Sequence, residues 1–121
     1  MNLIKLALIG LTVGSTASIA DECTSPSAPS LPDGTTATLE QMLEGQQAVK
    51  AYQAANTEYR TCLEPLVSAA EVAVAGESPG PELQETLKKL NDDYNASVSD
   101  EEELAENFNI ELREYKTANP S

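Results

Sequence analysis

The residues of this chain best suited to chemistry are carboxylates and amides. Asn91, Asp93, Asn95, Ser99 and Glu102 fall at positions one, three, five, nine and twelve of a twelve-residue stretch, with Val98 at the eighth. That spacing imitates an EF-hand calcium loop, which surrounds the ion with hard oxygen donors and closes on a bidentate glutamate. Two residues depart from the pattern. Asn91 replaces the first aspartate, and Ala96 replaces the glycine that makes the sharp turn. The stretch is therefore expected to be a solvated acidic helix face. Calcium binding through 91–102 is kept as an alternative function.

Glu101, Glu102, Glu103 and Glu106 form an acidic cluster. Paired carboxylates work as acid and base only across a cleft that separates them, so a charged, exposed face is expected here too. Asn95-Ala96-Ser97 is a glycosylation sequon. It matters only in a secretory pathway that attaches glycans. The chain contains no His, so imidazole-dependent triads and zinc sites cannot be built, and its serines lack that base. Tyr52, Tyr59, Tyr94 and Tyr115 lie on helical stripes and are expected in a core or interface. No catalytic residue, metal ligand or cofactor is assigned, and an enzyme is the least favoured class.

The remaining reactive residues are Cys23 and Cys62. Neither belongs to a Cys-x-x-Cys motif, so redox catalysis has little support. Their meaning depends on the compartment. Met1–Lys5 is a short segment with one positive charge, followed by an apolar run from Leu6 to Val13 and small residues up to Ala20. This is the tripartite form of a secretory signal peptide, with cleavage expected before Asp21. The apolar run is well short of the ~20 residues a membrane span needs. Asp21 and Glu22 before Cys23 do not suit a lipoprotein signal, and the C-terminal residues Lys116–Ser121 form no apolar lipid-anchor tail. A soluble periplasmic or extracellular protein is expected. Oxidising compartments favour disulfides, and Cys23 with Cys62 is the one intrachain pairing available. Free thiols or an intermolecular bridge are the other options.

Seven Lys plus Arg oppose 20 Asp plus Glu, a net charge of -13 in 121 residues. With a sequence pI near 4.1, the chain should be repelled by nucleic acid and by anionic lipid. Loss of residues 1–20 removes only Lys5 among the charges, taking the balance from -13 to -14.

Three parts must position whatever the protein presents. Residues 21–37 are an extended arm, with Pro26, Pro29 and Pro32 at the three-residue period of polyproline II and a turn signal at Asp33-Gly34. A first helix is expected from Leu39 to about Ala75, with Thr38 and Gln41 in capping-box positions. Val49, Tyr52, Asn56, Tyr59, Leu63, Leu66, Ala70 and Ala73 make its stripe. Asn56 is the polar member, suited either to fixing register or to the stripe's edge. Pro65 predicts a kink or break near Thr61 to Glu64. Residues 76–81 are the turn, and Pro81 suits the first turn of a second helix.

The second helix carries Leu83, Leu87, Leu90, Tyr94, Val98, Ala105, Phe108, Leu112 and Tyr115. One continuous helix is expected, although Ser99 and Glu102 could cap a new one after a break near Asn95. A turn centred near Ser78 puts Leu66 opposite Leu90, Tyr59 opposite Val98 and Val49 opposite Phe108. The arm, up to ~46 Å long as polyproline II, can run back along the ~35 Å of helix between Leu39 and Cys62. Ala48, Ala51, Ala55, Cys62 and Ala69 offer a small-residue seat for it.

Cys23, Leu31-Pro32-Asp33-Gly34, the segment Gln47 to Tyr52, Cys62, and Asn107-Phe108-Asn109 ahead of Leu112-Arg113 together resemble an uncharacterised group of small exported bacterial proteins. The resemblance implies a periplasmic helical protein with one disulfide, and helix over 91–102. It brings no activity.

The expected fold is all-α: an antiparallel two-helix hairpin over 38–118, with the 21–37 arm stapled to helix 1 by Cys23–Cys62. The core of such a hairpin is thin, so the arm or self-association into a four-helix bundle must complete it. The expected function is a non-enzymatic interaction or structural module of the cell envelope. A protein partner or a second copy would bind in helix-in-groove or bundle fashion.

Overall fold

Thr38 opens the first helix through a reciprocal capping box. Its hydroxyl accepts from the Gln41 N–H at 3.1 Å, and its own N–H donates to the Gln41 side chain at 2.9 Å. Two donors that a helix start leaves orphaned are thereby satisfied. This helix, α1, spans Leu39–Ala75. The second, α2, spans Pro81–Ala118 and begins with proline, where a missing N–H costs no helical bond. The computed structural model describes residues 23–76 and 79–120. The expected signal segment 1–20 and the centre of the turn at Ser78 lie outside the described residues.

Pro65 lies inside α1, and the helix continues through it. Of the kink or break expected near Thr61–Glu64, the break does not occur. The proline denies the Thr61 carbonyl its helical donor. Its ring is exposed, however, and its neighbours Leu63, Leu66 and Val67 are held in an apolar cluster with α2. Burial of that face outweighs one lost bond. α2 is likewise continuous across 95–99, so Ser99 and Glu102 cap no new helix.

The helices pack antiparallel around two apolar clusters. Near the turn, Tyr59, Leu63 and Ala70 of α1 meet Leu90 of α2, with Leu66, Val67, Leu87 and Tyr94 packed against them. Near the open end, Met42, Val49 and Tyr52 meet Leu104 and Phe108, flanked by Leu112 and Tyr115. Val49 and Phe108 thus share a cluster, as the facing register requires, and Leu66 packs on the cluster that holds Leu90. Tyr59 and Val98 do not pair. The buried residues of α2 are Leu90, Ser97, Leu104 and Phe108, whereas Val98 and Ala105 are only half-buried. The stripe expected through Val98 and Ala105 is displaced by one residue, because the 4-3-4 spacing from Leu90 through Tyr94 selects Ser97 in place of its apolar neighbour.

The arm completes the thin core. Cys23 is buried in the first cluster, and Leu31 and Ala37 pack on the second. A Cβ built on Gly45 of α1 would lie 2.8 Å from Cδ of Pro32, so a bare glycine lets the proline ring approach. Ala48 lines the cleft beside this contact and Ala55 is half-buried, but Ala51 and Ala69 are exposed. The seat is Gly45, Ala48 and Cys62 more than the full alanine face.

Candidate functional site

The Cys23–Cys62 disulfide forms as expected, with Cα atoms 5.7 Å apart and the partners separated by 39 positions in sequence. It fastens the start of the arm to the middle of α1. A second attachment holds the other end of the arm. Asp33 caps its own turn, accepting from the Thr35 N–H at 2.9 Å and the Thr35 hydroxyl at 2.6 Å, and its carbonyl accepts from the Ala37 N–H at 2.8 Å. The turn presses Gly34 onto α2. Its N–H donates to Glu111 Oε2 at 2.8 Å, and a Cβ there would lie 1.9 Å from the Glu111 carbonyl oxygen. No other residue fits that approach.

This docking gathers Asp33, Glu111 and Glu114, each with a carboxylate oxygen within 4.8 Å of the others. A hydrogen bond and the charge of Glu111 hold the Glu114 carboxyl above its ordinary pKa. The Thr35 side-chain hydrogen bond, followed by the Thr35 N–H, holds Asp33 below its own. The trio surrounds a packed turn.

A polar layer separates the two apolar clusters. Asn56, only 1% exposed, donates from Nδ2 to the Ser97 carbonyl at 2.8 Å and accepts at Oδ1 from the Ser97 hydroxyl at 2.7 Å. Arg60 donates to Ser97 Oγ at 3.1 Å and pairs with Glu101 at 3.3 Å. Among the described residues no buried side-chain nitrogen or oxygen is left without a partner, which is the condition under which a buried polar layer is tolerated. Asn56 is therefore a buried, hydrogen-bonded member of the stripe and not an edge residue. Ser97 and Glu101 were missed as its partners. The signal was present: they continue the 4-3-4 spacing from Leu90 to Phe108, but apolarity favoured Val98 and Ala105.

The other chemically suggestive residues separate. Residues 91–102 are helical throughout, so oxygen atoms spaced for a calcium loop radiate around the helix instead of converging. In the Glu101–Glu106 cluster, Glu101 turns partly inward while Glu102, Glu103 and Glu106 are exposed. The sequon has Asn95 exposed but its Ser97 hydroxyl buried and hydrogen-bonded. Tyr52 and Tyr59 lie in the core, and burial raises both phenol pKa values, aided by Asp100 and Glu101 at Tyr52 and by Asp93 at Tyr59.

One open groove takes its walls from both helices. Glu64, Val67, Ser68 and Glu71 of α1 and Asn91 and Tyr94 of α2 line a volume of about 420 Å³. Val67 and Tyr94 are half-buried at its floor, and Glu64 and Glu71 are exposed. The groove is apolar in the middle and anionic at the margin. No family model, curated protein or solved structure matches this chain. Among the described residues no helix is long and apolar enough to cross a membrane.

Proposed function

We propose that this protein is a non-enzymatic interaction or structural module of a bacterial cell envelope, exported through residues 1–20 and acting in the periplasm or outside the cell, like the exported group it resembles. The observation that carries the reading is a scaffold whose own core is closed by the arm while large apolar side chains remain in water. Leu39 is 58% exposed and Leu43 52%, and their spacing of four puts them on one face of α1. Val72, Leu83 and Ile110 are exposed as well. Such residues suit contact with another protein. The disulfide supports an oxidising compartment. Cation binding through 91–102 lacks the loop it needs, because that segment is helix.

In-cell cross-linking, followed by affinity recovery and mass spectrometry, tests the reading. One envelope protein recovered near stoichiometry is the expected result, and its role would name the function. Recovery of this chain alone, or of no protein, would overturn the assignment as a module for a different partner. N-terminal sequencing of the recovered chain should begin at Asp21.

A further inference from the structure

The groove bounded by Glu64 and Glu71 carries charge that the rest of the molecule does not balance. Three carboxylates of the helices have cations beside them, Asp92 with Lys88, Asp93 with Lys89 and Glu101 with Arg60; the groove margin belongs to the larger unpaired set among the described residues. Neither Glu64 nor Glu71 makes an ion pair with a described residue, and no Lys or Arg lines the groove. The two glutamates are seven positions apart, which is two turns, or ~10.5 Å along one face of α1. Between them the floor is apolar. Val67 and Tyr94 pack against the cluster of Leu63 and Leu90 from outside, so the groove continues the hydrophobic core to the surface.

We propose that this groove docks a basic amphipathic helix from a partner protein. The inference rests on the interaction-module reading and names its surface and its partner's chemistry. Lysine or arginine residues seven apart on the incoming helix reach Glu64 and Glu71. Their aliphatic stems and the apolar residues between them cover Val67 and Tyr94, as long cationic side chains do when the head stays near water. Two helices already set side by side accept a third by the same ridge-and-groove packing.

Charge selects the occupant. A second copy of this chain brings another net -13 to an anionic margin, and nucleic acid or anionic lipid brings the same sign. A cationic helix is attracted at long range and held at short range.

The test uses the disulfide-bonded protein and a fluorescein-labelled helical peptide of about 18 residues, long enough for stable turns, made of leucine, alanine and lysine with lysines seven apart. Anisotropy should show saturable binding that weakens with salt, and amide shifts should centre on residues 64–71 and 91–94. The E64Q/E71Q variant, altered only at exposed positions, should bind roughly five- to tenfold more weakly. The E102Q/E106Q variant, which removes equal charge from the exposed face of α2, should stay within about twofold. A peptide with glutamate in place of lysine should not bind.

Equal losses in both variants, shifts centred elsewhere, or no saturation would overturn the docking site. If cross-linking recovers an envelope partner whose yield is unchanged in E64Q/E71Q, the groove assignment fails and the module reading stands. If the peptide binds as described while cross-linking recovers no partner, the groove's recognition of a basic helix stands and its use by an envelope partner fails with the module reading.

Discussion

Asn56 shows how one side chain can matter more for uniqueness than for stability. It lies between two apolar clusters, each built from both helices, whose non-directional contacts specify register less sharply than a hydrogen bond does. Its paired hydrogen bonds with Ser97 are satisfied in a single register. Asn56→Ala should lower stability by about 2–3 kcal/mol in urea denaturation, because it opens a cavity and strips the Ser97 hydroxyl of one partner. The double variant N56L/S97A removes both halves of the pair. It should recover to within about 1 kcal/mol of the parent, or exceed it, while amide resonances along both helices broaden from exchange between registers. Sharp spectra from that variant would mean that Asn56 merely fills space. The sequence marked Asn56 as the polar member of an apolar stripe. It did not identify Ser97, because a serine between Tyr94 and Val98 looks like surface until the opposite helix is placed.

The three elements divide the stabilising work unequally. The arm is held at Cys23 by the disulfide and at Gly34 by close contact with α2, so each attachment can be released without the other. Cys62→Ser should cost about 3–4 kcal/mol, mostly through the longer-ranging unfolded chain, and lower Tm by roughly 15 °C. The Gly34 turn should stay docked, so the protection of the Gly34 N–H from hydrogen exchange should survive. An unchanged Tm would remove the disulfide from the account of the fold.

Pro65 is the opposite case, a residue the helix tolerates at a cost. Pro65→Ala restores the donor to the Thr61 carbonyl on an exposed surface. It should raise stability by about 1–2 kcal/mol, after allowing for the freer unfolded chain. A loss instead would show that the proline shapes α1 in a way its neighbours require. Helix limits were legible because caps and breakers are local: Thr38 with Gln41, Gly76 and Pro81 each act within a turn. The fate of Pro65 was not legible, since it depended on how much of its helix another element would bury.

At the level of the whole molecule the excess of acid dominates. With 20 carboxylates against seven cations, mild acidification should relieve self-repulsion and raise Tm, and added salt should do the same at neutral pH. Glu114 acts in that direction. Its raised pKa means stability that is fully present below the ordinary glutamate value and lost as pH rises through the raised one. Asp33 opposes it. Its lowered pKa means stability present above the ordinary aspartate value and lost as pH falls through the lowered one. Tm plotted against pH should therefore peak on the acid side of neutrality. Glu114→Gln should flatten the alkaline side of the peak, and Asp33→Asn the steep fall at the acid end. A Tm that climbs steadily toward neutral pH would show that neither self-repulsion nor this trio governs the profile.

Residue order alone settled what depends on neighbours in the chain: the outer limits of two helical segments, the Thr38 cap, the turn between them, and the one intrachain cysteine pairing available. It also made the hairpin's approximate register readable, because apolar residues recur at helical spacing and a short turn leaves little freedom. Three features required the packed molecule. The buried Asn56–Ser97 layer, the seating of Gly34 on α2 beside Glu111 and Glu114, and the groove between Glu64 and Tyr94 all join residues from separate elements. Their chemistry lies in distances of a few ångströms across the hairpin, and a shift of one residue in either helix would exchange a buried serine for a valine and part those contacts.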